Sequence, residues 1–137
     1  MTQPILKVIN LVKKFTGEKE TIHAVNNVSF EIFPGETLGL VGESGSGKST
    51  IGRCIMKLQN PTSGKIIFNN ENLNQINSNK MRLLRKDIQI VFQDPYSALN
   101  PRMKVGNLIG ELLKIHSNLN SNDRRDKVLE LASKVHL

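Results

Sequence analysis

One stretch constrains the fold of this chain more than any other: Gly39 to Gly52, GLVGESGSGKSTIG. Gly42, Glu43, Ser44, Gly45, Ser46, Gly47, Lys48 and Ser49 fill the pattern G-x-x-x-x-G-K-[ST] without a gap. The short apolar run TLGLV (37–41) leads into it, and apolar residues at helical spacing, Ile51, Ile55 and Leu58, lead out of it. A strand, a glycine-rich loop and a helix in that order predict a cradle for phosphate. The glycines let backbone N–H groups curl inward where a Cβ would obstruct them. The helix that begins near Lys48 turns its positive end toward the same point. Lys48 brings a full charge to the β- and γ-phosphates, and Ser49 offers a hydroxyl to Mg²⁺, most of whose other ligands stay water or phosphate oxygen. The bland alternative, a glycine- and serine-rich turn without function, does not account for the strand and helix on either side.

The remaining pattern surrounds this unit with strands first and helices later. ILKVINL (5–11) and HAVNNVSFEIF (23–33) alternate as strands, with TGEKE as the turn between them. PGE (34–36) is a tight reversal into residues 37–41. The helix 48–58 is closed off by NPTSG, where Pro61 and Gly64 stop it, and KIIFNN (65–70) reads as a strand ending in a turn. Residues 74–86 start polar and become a short basic helix; DIQIVFQD is a strong strand candidate. A loop punctuated by Pro95 and Pro101 follows, then a helix over 105–116, the polar break SNLNSND, and a last helix over 124–137 with Ser121 or Asn122 near its start.

Composition narrows the function classes. The chain has 137 residues, enough for one domain or a piece of a larger one. Aromatics make up 4% with no Trp, so a core must rest on Ile, Leu and Val. The net charge of +7 is spread along the chain, with no run of five cations and no aromatic interleaving, so nucleic acid is not expected as a partner. No apolar run approaches the length of a membrane span, and the first residues lack the layout of a signal peptide. A single cysteine, Cys54, excludes an internal disulfide and suits a reducing cytoplasm; on the helix after the loop it reads as a small packed side chain. His23, His116 and His136 have no metal-ligand spacing.

The class of nucleotide protein turns on a second block. A guanine-reading N-K-x-D segment is missing, since NKMR (79–82) lacks the Asp, and MRLLRK makes a poor arginine lid. The block IQIVFQDPYSALNPRMKVGNLIGE, together with AVNNVSFEIFPGETLGLVGESGSGKST and PTSGKIIFN, resembles the ATP-binding cassette (ABC) ATPases. Within them it is similar to the oligopeptide/dipeptide importer subfamily, over nearly the whole chain. The resemblance implies an α/β fold: a P-loop NTPase (RecA-like) core with an N-terminal antiparallel β region and the start of a helical subdomain. It implies a β-rich ATP-binding core over about 1–93 and a coupling loop with the start of the helical part over about 94–137. Phe15 matches the aromatic that stacks on adenine, although a strand-end core residue is the alternative. Residues 42–49 match the phosphate loop, extended by Thr50. Gln93 matches the glutamine of the Q-loop, which reaches Mg²⁺ or the attacking water; the alternative is a polar residue that ends a strand. Lys48 and Gln93 are thus the catalytic candidates, Ser49 and Gln93 the metal candidates, and ATP with Mg²⁺ the implied cofactors. The loop from Asp94 to Met103 would face the transmembrane permease subunits, with a surface connector as the alternative, and a second ATPase subunit would complete a dimer. The implied location is cytoplasmic, peripheral at the inner face of the membrane.

Parts of the family pattern are missing from residues 1–137. No run of four apolar residues ends in Asp-Glu, no L-S-G-G-Q segment occurs, and no later switch histidine follows. The resemblance therefore implies the front part of an ATPase, truncated before the hydrolytic groups. In the family, strands 37–41 and 88–92 would be separated by two later strands, so this stretch alone is expected to expose strand edges and to be weakly stable. The competing reading is a non-catalytic nucleotide-binding or interaction module from a truncated or degenerate gene. A DNA-maintenance ATPase is disfavoured by the DPYSALNPRM loop.

Overall fold

The computed structural model describes residues 3–18, 20–94 and 99–137. They fall into two compact units, 1–88 and 89–137.

The first unit is built on an antiparallel hairpin, β1 (Leu6–Thr16) and β2 (Thr21–Ile32). β3 (Ser63–Phe68) pairs with the other edge of β1, and the two-residue β4 (Glu71–Asn72) closes a sheet of order β2-β1-β3-β4. Simple alternation would bury every second residue of β1, and Leu6 and Val8 obey it. The next buried side chain is Leu11, an odd step, because the pairing register shifts between Val8 and Leu11. Asn10 sits at that irregularity with φ 47°, a conformation Asn tolerates, and its N–H donates to Ser29 Oγ at 2.7 Å. The bulge thus returns the strand's apolar residues to the core face. β3 and β4 join through Asn69 and Asn70, both at positive φ (49° and 64°), as a two-residue hairpin loop between a right-twisted pair of strands requires.

Helix α1 (Lys48–Ile55) lays Ile51 and Cys54 onto the sheet, where they join Leu6, Val8, Leu11, Val25, Ile66, Phe68 and Leu73 in one apolar cluster. The expected extension to Leu58 does not form. Lys57 takes φ 51°, its N–H donates to Cys54 O, and the N–H of Leu58 donates to Arg53 O, which together close the helix in a left-handed C-terminal motif. Helix α2 (Ser78–Leu84) starts where the side chain of Asn77 accepts from the N–H of Lys80. It is shorter than the 74–86 segment expected, and buries Met81.

The second unit is a pair of helices, α3 (Val105–His116) and α4 (Ser121–Lys134), joined by a short link at 117–120. A Cβ placed on Gly110 of α3 would stand 3.3 Å from Val128 Cγ2, so the small residue admits α4 closely. α4 begins about one turn earlier than the apolar spacing suggests, because Asn120 caps it. The Asn120 side chain accepts from the N–H of Asp123 and donates to its carboxylate.

Two strand expectations are corrected. Residues 37–41 and 88–92 belong to no strand among the described residues. Val41 is 98% exposed and Val91 91% exposed, although both runs are apolar enough for a buried sheet. Strand character depends on a paired neighbour for the N–H and C=O groups, and the sheet's hydrogen-bonded order, β2-β1-β3-β4, includes neither run. No described helix is long and apolar enough to cross a membrane.

Candidate phosphate-binding loop

The loop 42–49 is shaped from both ends by the sheet and by α1. Gly47 is the N-cap of α1 at φ 94° and ψ 1°. A Cβ there would lie 2.1 Å from Ala24 O, so the loop seats its last glycine directly against the backbone of β2. Gly45 turns at φ 84°, and the N–H of Ser46 donates to Glu43 O across the bend. At Gly42 a Cβ would be 2.7 Å from Ser46 Oγ and would close the concavity.

Glycine at the cap leaves the helix end open. Hydrogen bonding within α1 begins with the N–H of Ile51 on Gly47 O, and no side chain caps the helix. The N–H groups of Lys48, Ser49 and Thr50 precede that first bond and have no carbonyl one turn back within the helix. They carry the positive end of the macrodipole. The exposed Ser49 leaves its hydroxyl open to solvent beside them.

Lys48 bends back over this end. Its Nζ donates to Gly42 O at 2.7 Å, Glu43 O at 2.6 Å and Ser46 Oγ at 3.1 Å, so all three ammonium donors are engaged by the loop itself. The ammonium of Lys48 is therefore held by the loop, with no carboxylate among its hydrogen-bond partners. This donor set fits a polyphosphate: amide hydrogens, an ammonium, a hydroxyl, and a concavity that side chains at the glycines would fill.

Cys54, on the core side of α1, is buried; burial pushes its thiol up from 9.0, and the charge of Lys13 offsets part of that. It is a packing residue, as its position on the helix suggests. Phe15 lies near the end of β1, paired with Ile22, and is 39% exposed rather than part of the core. Lys13 Nζ stands 4.9 Å from the centre of its ring, on the same side of the strand. Neither the exposure of this ring nor its cation can be read from the alternation of β1.

Gln93 belongs to the second unit and is exposed. Of the loop from Asp94 to Met103, Pro95, Tyr96, Ser97 and Ala98 lie outside the described residues. Asn100 orders the part that follows: its Oδ1 accepts from the N–H of Arg102 and its carbonyl from the N–H of Met103. No group of three or more His, Cys, Asp or Glu side chains that could hold a metal ion occurs among the described residues.

Comparison with known proteins bears on the family and the fold. The chain is 44% identical to the glutathione import ATP-binding protein GsiA of Escherichia coli K12 over 98% of its length, and equally to that of Shigella flexneri serotype 5b. It spans only 23% of those relatives. The post-hydrolysis dimer of the ATP-binding cassette MJ0796, bound to ADP and Pi, superposes with a TM-score of 0.83 at 30% identity, covering 96% of this chain and 57% of that one. For cbiO1 from Clostridium perfringens, part of the ABC transporter complex cbiONQ, the TM-score is 0.71 at 26% identity, covering 98% of this chain and 51% of the other. The α/β fold is accordingly that of the N-terminal part of an ABC ATPase, with its antiparallel β region and the start of the helical part. Because residues 25–137 match the ABC transporter family, the phosphate-shaped loop lies inside a family sequence, and the chain belongs to that family.

Proposed function

We propose that residues 42–50 bind the phosphates of ATP with Mg²⁺, and that the chain is the nucleotide-binding part of an ATP-driven importer of small peptides. The observation that carries this is the Lys48 ammonium bound by the carbonyls of Gly42 and Glu43, in a loop that ends at the uncapped start of α1. Backbone N–H groups at Lys48, Ser49 and Thr50 would hold phosphate oxygens, Gly42, Glu43, Ser44, Gly45, Ser46 and Gly47 would wrap them, and Lys48 would exchange carbonyl partners for the β- and γ-phosphates. Ser49 would supply a hydroxyl to Mg²⁺, whose charge offsets that of the phosphates. Phe15, exposed on one face, is the candidate platform for adenine. Gln93 is the candidate that senses the metal or water, and residues 94–103 are the candidate contact with permease subunits at the inner face of the membrane. A second ATPase subunit would complete the assembly.

Peptide import rests on the FQDPYSALNPRM block and on similarity to relatives named for import of glutathione, itself a tripeptide. Phosphoryl transfer depends on positioning and electrostatics, and residues 1–137 contain no Asp-Glu pair after an apolar run. Binding without appreciable turnover is therefore expected of this stretch by itself. Calorimetric titration with Mg-ATP checks the site: Lys48→Ala should weaken binding by about tenfold or more, the equivalent of one lost charge-assisted contact. Equal affinity in both proteins would defeat the assignment.

A further inference from the structure

A second basic concavity lies in the first unit. The turn that follows α1 and the helix α2 enclose a cleft of about 380 Å³ lined by Lys57, Asn60, Ser78, Met81, Arg82 and Arg85. None of these residues belongs to the loop 42–49. Three are cations and none is a carboxylate. The nearby Glu71 is taken by Lys80, and Arg82 and Arg85 form no ion pair among the described residues. Lys57 is fixed in place rather than splayed into water. Its backbone is held at φ 51° by the end of α1, and its half-buried Nζ donates to Ile76 O at 2.6 Å, which leaves two of its N–H donors uncommitted.

Three like charges around one cleft repel each other. The C-terminal ends of α1 and α2 offset part of this, since each carries about half a negative charge. Their sum is still well short of three cations. Asn60 and Ser78 add neutral donors, and the buried Met81 gives the cleft an apolar wall. No aromatic ring lines it, so nothing there would stack on a base. Planar guanidinium forks beside an ammonium match the oxygens of a tetrahedral anion better than a single carboxylate or a metal ion.

We propose that this cleft binds a phosphate-class oxyanion, either free phosphate or the phosphate of a larger molecule such as a lipid headgroup. The assignment is independent of the ATP reading of residues 42–50. The test is residue-resolved because phosphate would also enter that loop. Backbone amide NMR spectra of the full 137-residue chain are followed while inorganic phosphate replaces chloride at constant ionic strength. Saturable shifts are expected at Asn60 and across Ser78 to Arg85, with an affinity distinct from any shifts at 42–49. R82Q/R85Q should weaken the first set by about tenfold or more and leave the second unchanged; Lys48→Ala should do the reverse. R82K/R85K, which keeps the charge but loses the forks, should fall between. Both arginines are exposed, and the amide pattern of α2 verifies that each variant is folded.

Sedimentation with phosphatidylcholine vesicles, with and without phosphatidylglycerol, separates the sources. Arginine-dependent binding to the anionic vesicles alone identifies a headgroup, and a phosphate response without vesicle binding identifies a soluble ligand. Shifts that never saturate, or that are unchanged in R82Q/R85Q, together with no arginine-dependent vesicle binding, would overturn the proposal.

Discussion

Single residues carry the site's geometry, and two glycines on the same helix show how differently they do so. Gly47 meets the backbone of β2 so closely that a methyl group has nowhere to go, and its φ of 94° is strained for any other residue. Gly47→Ala should therefore destabilise the first unit by about 2–4 kcal/mol, the sum expected of backbone strain and overpacking. Gly52 lies inside α1, and a methyl group added there would meet nothing within 4 Å, so Gly52→Ala should stabilise by about 0.5–1 kcal/mol. Urea melts of the two variants read opposite signs if the loop is seated as described. On α4, Glu130 bonds Lys127 at 2.7 Å and Lys134 at 2.8 Å. Those hydrogen bonds, reinforced by the two charges, hold its carboxyl down from 4.5 to about 2. A lowered folded value means the contribution is present above pH about 4.5 and fades as pH falls toward about 2. The group is open to water, so the effect is small and salt-sensitive. Glu130→Gln should flatten this part of the acid titration of helicity, and high salt should flatten it in the wild type.

At the scale of elements, what the sequence makes visible is what local chemistry decides. α3 runs over the expected residues 105–116, since its apolar spacing and the polar break after it need no distant partner. The start of α4 escapes the apolar period because that period begins later than the cap. Ser121, expected near the start, is the first residue of α4, and Asn120 before it receives the N–H of Asp123. Asn120→Ala should lower the stability of the second unit by about 1 kcal/mol, seen as faster amide exchange in the first turn of α4. The shape of the candidate loop 42–49 is legible for the same reason as α3: glycine, lysine and serine at fixed spacing act on their own backbone and on one helix end. Residues 37–41 and 88–92 look like strands in the sequence because apolarity reports burial, whereas pairing is set by residues far away in the chain. The Asn10 bulge and the Asn69–Asn70 reversal lie between these extremes, marked by asparagines whose positive φ only the folded sheet explains.

For the whole molecule, the decisive contrast is between the ordered candidate loop at 42–49 and the exposed apolar runs on either side of it in the sequence. The loop 42–49 finds its anchors, Ala24, Ile51 and Cys54, within residues 1–88. The apolar runs around Val41 and Val91 are open to water, and exposed, unpaired apolar segments favour association. Ligand binding and stability should then be tightly linked. A site that exists only in the folded first unit stabilises it by about 2.7 kcal/mol when Mg-ATP is present at about 100 times its Kd. The expected result is a low urea midpoint for the chain of 137 residues without nucleotide, and an upward shift of that size with Mg-ATP. Lys48→Ala should cut the shift by about half or more while leaving the midpoint without nucleotide nearly unchanged, because its ammonium bonds only the loop's own carbonyls and a serine hydroxyl. A high midpoint that ignores nucleotide would mean that the exposed runs do not limit stability and that the cradle does not hold phosphate.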